Sequence, residues 1–313
     1  MGRNTEFEKI DFPVSLKPVY LKGKKYSELT KYKAVTGIAD SKETIFSLVS
    51  NNYSLITNSE ALELGKNIFK EFFPSIDGSK FEIFNINYPN TRSFCHIDII
   101  NDCYSFNIWE KEVFIPFIRI TNSYNKTRSL KFEIGFSRKV CDNGVIFEKE
   151  TVELNYAHYK KSVSGILENI KAENQYDKLK KLEDEFSTFM KSLKELKINK
   201  EYYTPLTAKI FQLKFDIKSE SRKIREKESK KMNQFVDYCE ILSKNYISEI
   251  GENAYSLFNV ATAFANNRDF VKSYRYNDYQ IKAGTWLKTF TKRDQGESLE
   301  DYLKDYKYLT NKN

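Results

Sequence analysis

An α+β fold is predicted, with an antiparallel or mixed sheet in the N-terminal half and a helical C-terminal half that includes a long helical hairpin. Two changes of pattern carry this expectation. Between residues 81 and 149 apolar side chains alternate with period two and are broken by Pro-Asn, Asn-Lys and Asp-Asn-Gly turns, the mark of half-buried strands joined by short connections. From Val163 onward the apolar spacing lengthens to about 3.6, the period of an amphipathic helix. The switch near Tyr159 separates a sheet-rich α+β domain over residues 1–159 from a helical region over residues 160–313, with no internal repeat or low-complexity linker between them.

Taken in order, residues 32–38 and 47–56 read as strands. Residues 59–73 read as a helix, with Ser59 as its cap, a face of Leu62, Leu64, Ile68, Phe69 and Phe72, and an end before Pro74. Four or five strands follow, and Asn143-Gly144 is the best hairpin signal in the chain. Residues 163–170 and then 179–196 show helical periodicity. Thr204-Pro205 reads as a cap followed by an early proline, a further helix runs through Phe235, Cys239, Leu242 and Tyr246 to Gly251, and residues 253–266 form a shorter one.

Composition narrows the chemistry. The 313 residues carry 51 Lys and Arg against 43 Asp and Glu, a net charge of +8, with 40% hydrophobic and 15% aromatic content, enough apolar material for a folded core. No run of 18 apolar residues is present, so no membrane span is expected, and the charged N-terminus predicts a cytoplasmic protein without a secretory signal. Cys95, Cys103, Cys141 and Cys239 stand singly, and His96 and His158 are the two histidines. That inventory predicts no metal, no cofactor and no His-dependent hydrolase. Cys141 and both histidines read as structural. The carboxylate groupings Asp98 with Asp102, Glu110 with Glu112, and Glu183 to Glu185 read as solvated surface, and Walker, GxGxxG and GxSxG motifs are missing. Binding rather than catalysis is the expectation.

Two stretches stand out together: Arg119-Ile-Thr-Asn-Ser-Tyr-Asn125, after Phe114-Ile-Pro116, and Gly135-Phe-Ser-Arg-Lys-Val-Cys-Asp-Asn-Gly144. They resemble the core of domain of unknown function 932, the phage/plasmid-like protein family, in which a strand leads to an Asn-Ser-Tyr-Asp-Gly-like turn and then to an Arg-x-Val-Cys-x-Asn-Gly segment. Val49-Ser-Asn-Asn-Tyr53 to Asn58 resembles that family's Ser-x-x-Tyr-x-x-x-x-Asn strand, and Asn259-Val-Ala-Thr262 its Asn-Ala-x-Thr element. The matches run in family order from about residue 32 to about residue 270. Lys126 stands where the turn usually has Gly, and the N-terminal extension has no counterpart. The resemblance implies a phage, prophage or plasmid origin, hence the cytoplasm of a bacterial host, and implies no reaction.

The turn residues have two readings. Asn122 and Tyr124 belong either to turn chemistry, in which Asn tolerates left-handed φ and bonds nearby backbone, or to a ligand contact. Arg119, Arg128 and Arg138 gather near the turn if adjacent strands pair antiparallel, forming either a bidentate phosphate clamp or carboxylate-paired arginines.

The charge excess is concentrated downstream: residues 160–231 hold 19 basic and 12 acidic groups, +7 of the total +8. Within them Arg222, Lys223, Arg225, Lys227, Lys230 and Lys231 form a basic stripe on an expected helix, where Lys218 joins Arg222 and Arg225 on one side. The interspersed Glu220, Glu226 and Glu228 equally suit an exposed, ion-paired helix. Tyr202, Tyr203, Tyr274, Tyr276, Tyr279 and Trp286, mixed with Lys272, Arg275 and Lys282, offer rings for base stacking or for the core. The leading expectation is a non-catalytic nucleic-acid-binding protein of phage or plasmid DNA metabolism that binds or anneals single-stranded DNA through Arg119, Asn122, Tyr124, Arg138, Arg222, Lys223, Arg225 and Lys227. The alternative is a mobile-element protein that binds and inhibits a host defence protein. An open sheet edge and long helices invite homo-oligomerisation under either.

Overall fold

A computed structural model describes residues 3–23, 25–74, 80–110, 112–139, 144–146, 153–158, 175–290 and 298–309. The expected helix over 163–170, Cys141, Asn143 and the change of period at Tyr159 lie outside the described residues. The fold is α+β, with antiparallel sheets in the N-terminal half and helices in the C-terminal half. The chain divides into two compact units, one of residues 1–139 and 149–183, the other of residues 140–148 and 184–313.

The first unit opens with a short helix, α1 (Arg3–Glu8), and a three-stranded antiparallel sheet in the order β1 (Val14–Lys22), β2 (Tyr26–Ala39), β3 (Lys42–Ser50). Strand β1 is not evident in the sequence because its alternation breaks at Pro18-Val19, where the register with β2 shifts. The strand expected over 47–56 is really β3, which begins earlier and stops at Ser50. Asp40 and Ser41 both adopt left-handed φ, 52° and 62°, forming the two-residue turn that suits strand twist in a hairpin. Val35, Val49, Phe12, Tyr53 and Tyr124 pack as the core under this sheet.

Helix α2 (Asn58–Phe72) is capped two residues earlier than expected, by Thr57 and not Ser59. Thr57 Oγ1 accepts from Glu60 N at 3.2 Å, and Glu60 accepts from Thr57 N at 2.7 Å, a reciprocal capping box. Its buried face of Leu62, Gly65, Ile68, Phe69 and Phe72 packs on a second antiparallel sheet, ordered β10 (Glu153–Tyr156), β8 (Leu130–Arg138), β7 (Glu112–Ser123), β5 (Phe94–Asn101), β4 (Phe81–Asn87), with β6 (Phe106–Trp109) on β7. A Cβ at Gly65 would sit 2.3 Å from Ile120 Cδ1, so glycine sets the helix-to-sheet distance. Side chains of Ile97, Ile99, Ile118, Ile120, Phe132 and Ile134 fill this interface by strand alternation.

In the second unit a short strand, β9 (Gly144–Ile146), accompanies the helices. Helix α3 (Gln175–Glu195) leads into it. Helix α4 (Tyr203–Ile210) follows a 3₁₀ turn over Lys200–Tyr202, so Thr204 and Pro205 lie inside the first turn and Thr204 is not the cap. Helix α5 (Arg222–Ile250) ends at Gly251, whose φ of 99° needs glycine. Three residues later α6 (Ala254–Asn266) begins, capped by Asn253, which accepts from Ser256 N at 3.0 Å. Helices α5 and α6 form the helical hairpin, with Phe235 against Phe264 and Tyr238 reaching Ala263. Helix α7 (Tyr276–Phe290) stacks Tyr279 on Phe211, and α8 (Leu299–Tyr302) closes the chain's helices.

Candidate nucleic-acid interface

Asn122 and Ser123 are the last residues of β7 and not part of the expected turn, which begins at Tyr124, and this end of the strand forms a hub. Asn122 Nδ2 donates to Ile56 O at 3.0 Å and to Asn58 Oδ1 at 2.9 Å. Asn58 Oδ1 also accepts from Cys95 Sγ at 3.3 Å, Asn58 Nδ2 donates to Ile10 O at 2.8 Å, and Asn58 N donates to Tyr124 Oη at 3.0 Å. Tyr124 packs against Phe12 and Phe46, and Tyr53 Oη lies within 3.5 Å of Ser123 O. Burial pushes the Cys95 thiol up to about 12 and the Tyr124 phenol well above its ordinary range, so both remain protonated donors or acceptors, not nucleophiles. Ser123 Oγ and Arg128 close the loop by 2.6 Å and 3.2 Å bonds, and Asn125 Oδ1 accepts from Thr127 N at 3.1 Å. Lys126 holds a φ of 62°, which explains why Gly suits that position.

The arginines expected near the turn are not gathered there. Arg119 is fully buried and donates twice to Asp98, Nε to Oδ1 and Nη2 to Oδ2, each at 2.6 Å. Arg138 is buried and grips Glu112, with Nη2 at 2.9 Å from Oε2 and Nε on Oε1. Arg119 lies opposite Glu133, whereas Arg138 lies opposite Phe114, so the two project from opposite faces of the sheet. Arg128 sits 5.0 Å over the Phe94 ring. Asp98 and Glu112 are therefore buried partners, and the buried Glu183 accepts from Tyr104 Oη at 2.7 Å and pairs with Lys180 at 2.8 Å, so none is the solvated surface expected of it. Beside Arg119, burial first and then the cationic Arg119, Arg128 and Lys131 hold the His96 imidazole well below its usual pKa.

The basic segment is different. Lys218 precedes α5, which starts at Arg222 with no side-chain cap and no acidic residue in its first turn. Arg222, Lys223, Arg225, Lys227, Lys230 and Lys231 are all exposed. Arg222 pairs with Glu226 at 2.7 Å, Lys231 with Glu228 at 2.5 Å, and Arg225 donates to Ser219 O at 3.0 Å. Lys223, Lys227 and Lys230, at i, i+4 and i+7, share one helix face and make no ion pair among the described residues. Alongside, Arg225, Ser229, Lys230 and Asn233 line an open groove with Ile217. Of the aromatics expected to stack bases, Tyr203, Tyr276 and Tyr279 are core residues, Trp286 stacks on Phe290, and Tyr274 alone is strongly exposed, beside Arg275.

Among the described residues no His, Cys, Asp or Glu grouping could hold a metal ion, and no helix is long and apolar enough to cross a membrane. No curated protein and no solved structure matches the chain. A family model described as Domain of unknown function (DUF932) matches residues 45–286, a span that takes in the Asn58–Asn122–Tyr124 hub, the buried Asp98–Arg119 pair and the helical hairpin, and the chain belongs to that family.

Proposed function

We propose that the protein binds single-stranded nucleic acid without catalysis, in the DNA metabolism of a phage or plasmid, and that the first three turns of α5 are its phosphate-contacting surface. The observation that carries this reading is energetic. A helix N-terminus is the positive end of the macrodipole, where a cation is unfavourable by about 0.3–1 kcal/mol, and Lys223 and Lys227 add a like-charge i, i+4 pair. Local stability argues against placing these charges there, and a polyanion is the ligand that reverses the balance. The arginines and turn residues of the first unit hold its frame, so Arg222, Lys223, Arg225 and Lys227 are the contact residues.

Fluorescence anisotropy of the full chain with a labelled single-stranded oligonucleotide, across a salt series, tests this. With about six cations engaged, the slope of log affinity against log salt should approach about −4, and affinity should fall by about two orders of magnitude between 50 and 200 mM salt. The combined Arg222→Glu, Lys223→Glu and Arg225→Glu variant should flatten that slope by about 2. Absence of binding at low salt overturns the reading and leaves α5 as a surface for docking a host protein.

A further inference from the structure

The N-terminal hairpin of β1 and β2 lies outside the residues matched by the family model, and no contact among the described residues explains its surface. Residues 17–33 hold six lysines against one glutamate. Tyr26 is 70% exposed, Tyr20 54% and Tyr32 51%, and none of these rings stacks on another aromatic side chain among the described residues. Lys22, Lys25, Lys31 and Lys33 likewise make no ion pair there. Exposed rings of this size on a soluble hairpin, with unpaired cations between them, point to a ligand that is anionic and flat-faced.

We infer that this hairpin is a second nucleic-acid contact, in which the tyrosines stack bases and the lysines follow the phosphates. Tyr20 pairs across from Glu28, and Lys22 across from Tyr26, so Tyr20 and Tyr26 occupy diagonal positions on one face, about 7–8 Å apart. That gap is about twice the 3.4 Å rise between stacked bases, room for one base between two rings. Tyr32 lies beyond the register shift between Pro18 and Tyr20, opposite Ser50 of β3, and stands outside this track, because Lys33, opposite Pro18, takes the Tyr20 face there. A second copy of this chain is a poor occupant, because two surfaces of the same strong positive sign repel. A lipid surface is also disfavoured: a membrane-inserting tip is apolar, whereas the sequence across the end of β1 and the start of β2 reads Lys22-Gly23-Lys24-Lys25. The α5 groove is lined by no aromatic residue, so the hairpin supplies the base contact that the helix lacks. This inference rests on the nucleic-acid reading.

The test uses the full chain, a labelled oligothymidine, and vesicles of phosphatidylcholine with phosphatidylserine. Two hairpin variants, one with Tyr20→Ala and Tyr26→Ala and one with Lys22→Glu, Lys25→Glu and Lys31→Glu, are compared with the α5 triple variant. Each stacked ring should contribute about five- to one-hundred-fold in affinity, so the tyrosine variant should lose at least tenfold while its thermal unfolding stays unchanged. The Tyr26→Trp variant should bind at least as well as the parent, with its indole fluorescence quenched on binding. Wild-type affinity in both hairpin variants, with loss in the α5 variant, overturns the hairpin contact and leaves the helix reading standing. Loss in the hairpin variants with none in the α5 variant sustains the hairpin and overturns the helix site. Hairpin-dependent binding to vesicles and not to oligothymidine overturns it in favour of a membrane surface, and no binding of oligothymidine by the wild type at low salt overturns both.

Discussion

Asn58 illustrates how one side chain can organise a fold. Its amide and backbone satisfy Asn122, Cys95, Ile10 and Tyr124 together, so Asn58→Ala would leave several buried polar groups unpaired, each worth about 1–3 kcal/mol. We expect chemical denaturation to show a loss of about 2–4 kcal/mol, with oligonucleotide affinity of the folded protein unchanged; a variant that stays stable but loses affinity would make the hub a ligand contact. His158 makes a pH prediction. It stacks on Tyr53 at 5.1 Å, its Nδ1 donates to Ser54 O at 3.2 Å, and burial lowers its pKa. As pH falls through about 6.5, the unfolded chain takes up a proton that the folded one refuses, so stability declines below that pH at up to about 1.4 kcal/mol per unit for each such imidazole. His96 contributes in the same direction. In His158→Phe, which keeps the stack and removes the titration, the melting temperature should fall less between pH 7 and pH 5.5 than in the wild type. The hub was partly legible: Tyr53, Asn58, Asn122 and Tyr124 all stood in family-like patterns. That these patterns meet in space was not legible, since it depends on pairing between segments more than 60 residues apart in the chain.

At the level of elements, boundaries set by local chemistry were readable and those set by partners were not. Gly251 and Asn253 mark the ends of α5 and α6 in sequence and in structure alike. Thr57 was missed in favour of Ser59, whose hydroxyl instead donates to Asp11 at 2.6 Å, because both are acceptable cap residues and only Glu60 three places on distinguishes them. The partners of Arg119 and Arg138 are cross-strand neighbours, which no local pattern discloses. For α5 itself the expected outcome is an inversion: Lys223→Glu should stabilise the protein by about 0.5–1 kcal/mol, through the macrodipole and a new i, i+4 pair with Lys227, while weakening oligonucleotide binding. Urea unfolding and anisotropy on the same sample check both halves, and a destabilised variant would give Lys223 a structural role.

For the whole molecule, two basic parts carry charge that does little for folding: the β1–β2 hairpin and the start of α5. A ligand that binds the folded chain alone raises its stability by mass action, about 2.7 kcal/mol at one hundred times Kd. Saturating single-stranded oligonucleotide should therefore raise Tm at low salt, and the increment should vanish at high salt, where counterion release no longer drives binding. An increment that persists in high salt would contradict a phosphate-based contact. Residues 140–148 group with the helical unit although they stand within the sheet-rich stretch of sequence, where no change in composition marks them.

The buried Asp98–Arg119 pair has a consequence for how the chain avoids misfolding. Along β5, β7 and β8 the isoleucines and phenylalanines recur every second residue, so a ladder displaced by two residues would bury nearly the same apolar surface as the native one. Apolar burial cannot discriminate between those two arrangements. A β5–β7 ladder displaced in this way would leave Asp98 and Arg119 each facing an uncharged neighbour; stranding a buried charge is unfavourable by about 3–5 kcal/mol. The Asp98–Arg119 pair thus acts as a proofreading key, rejecting near-native traps that the greasy side of the sheet would accept.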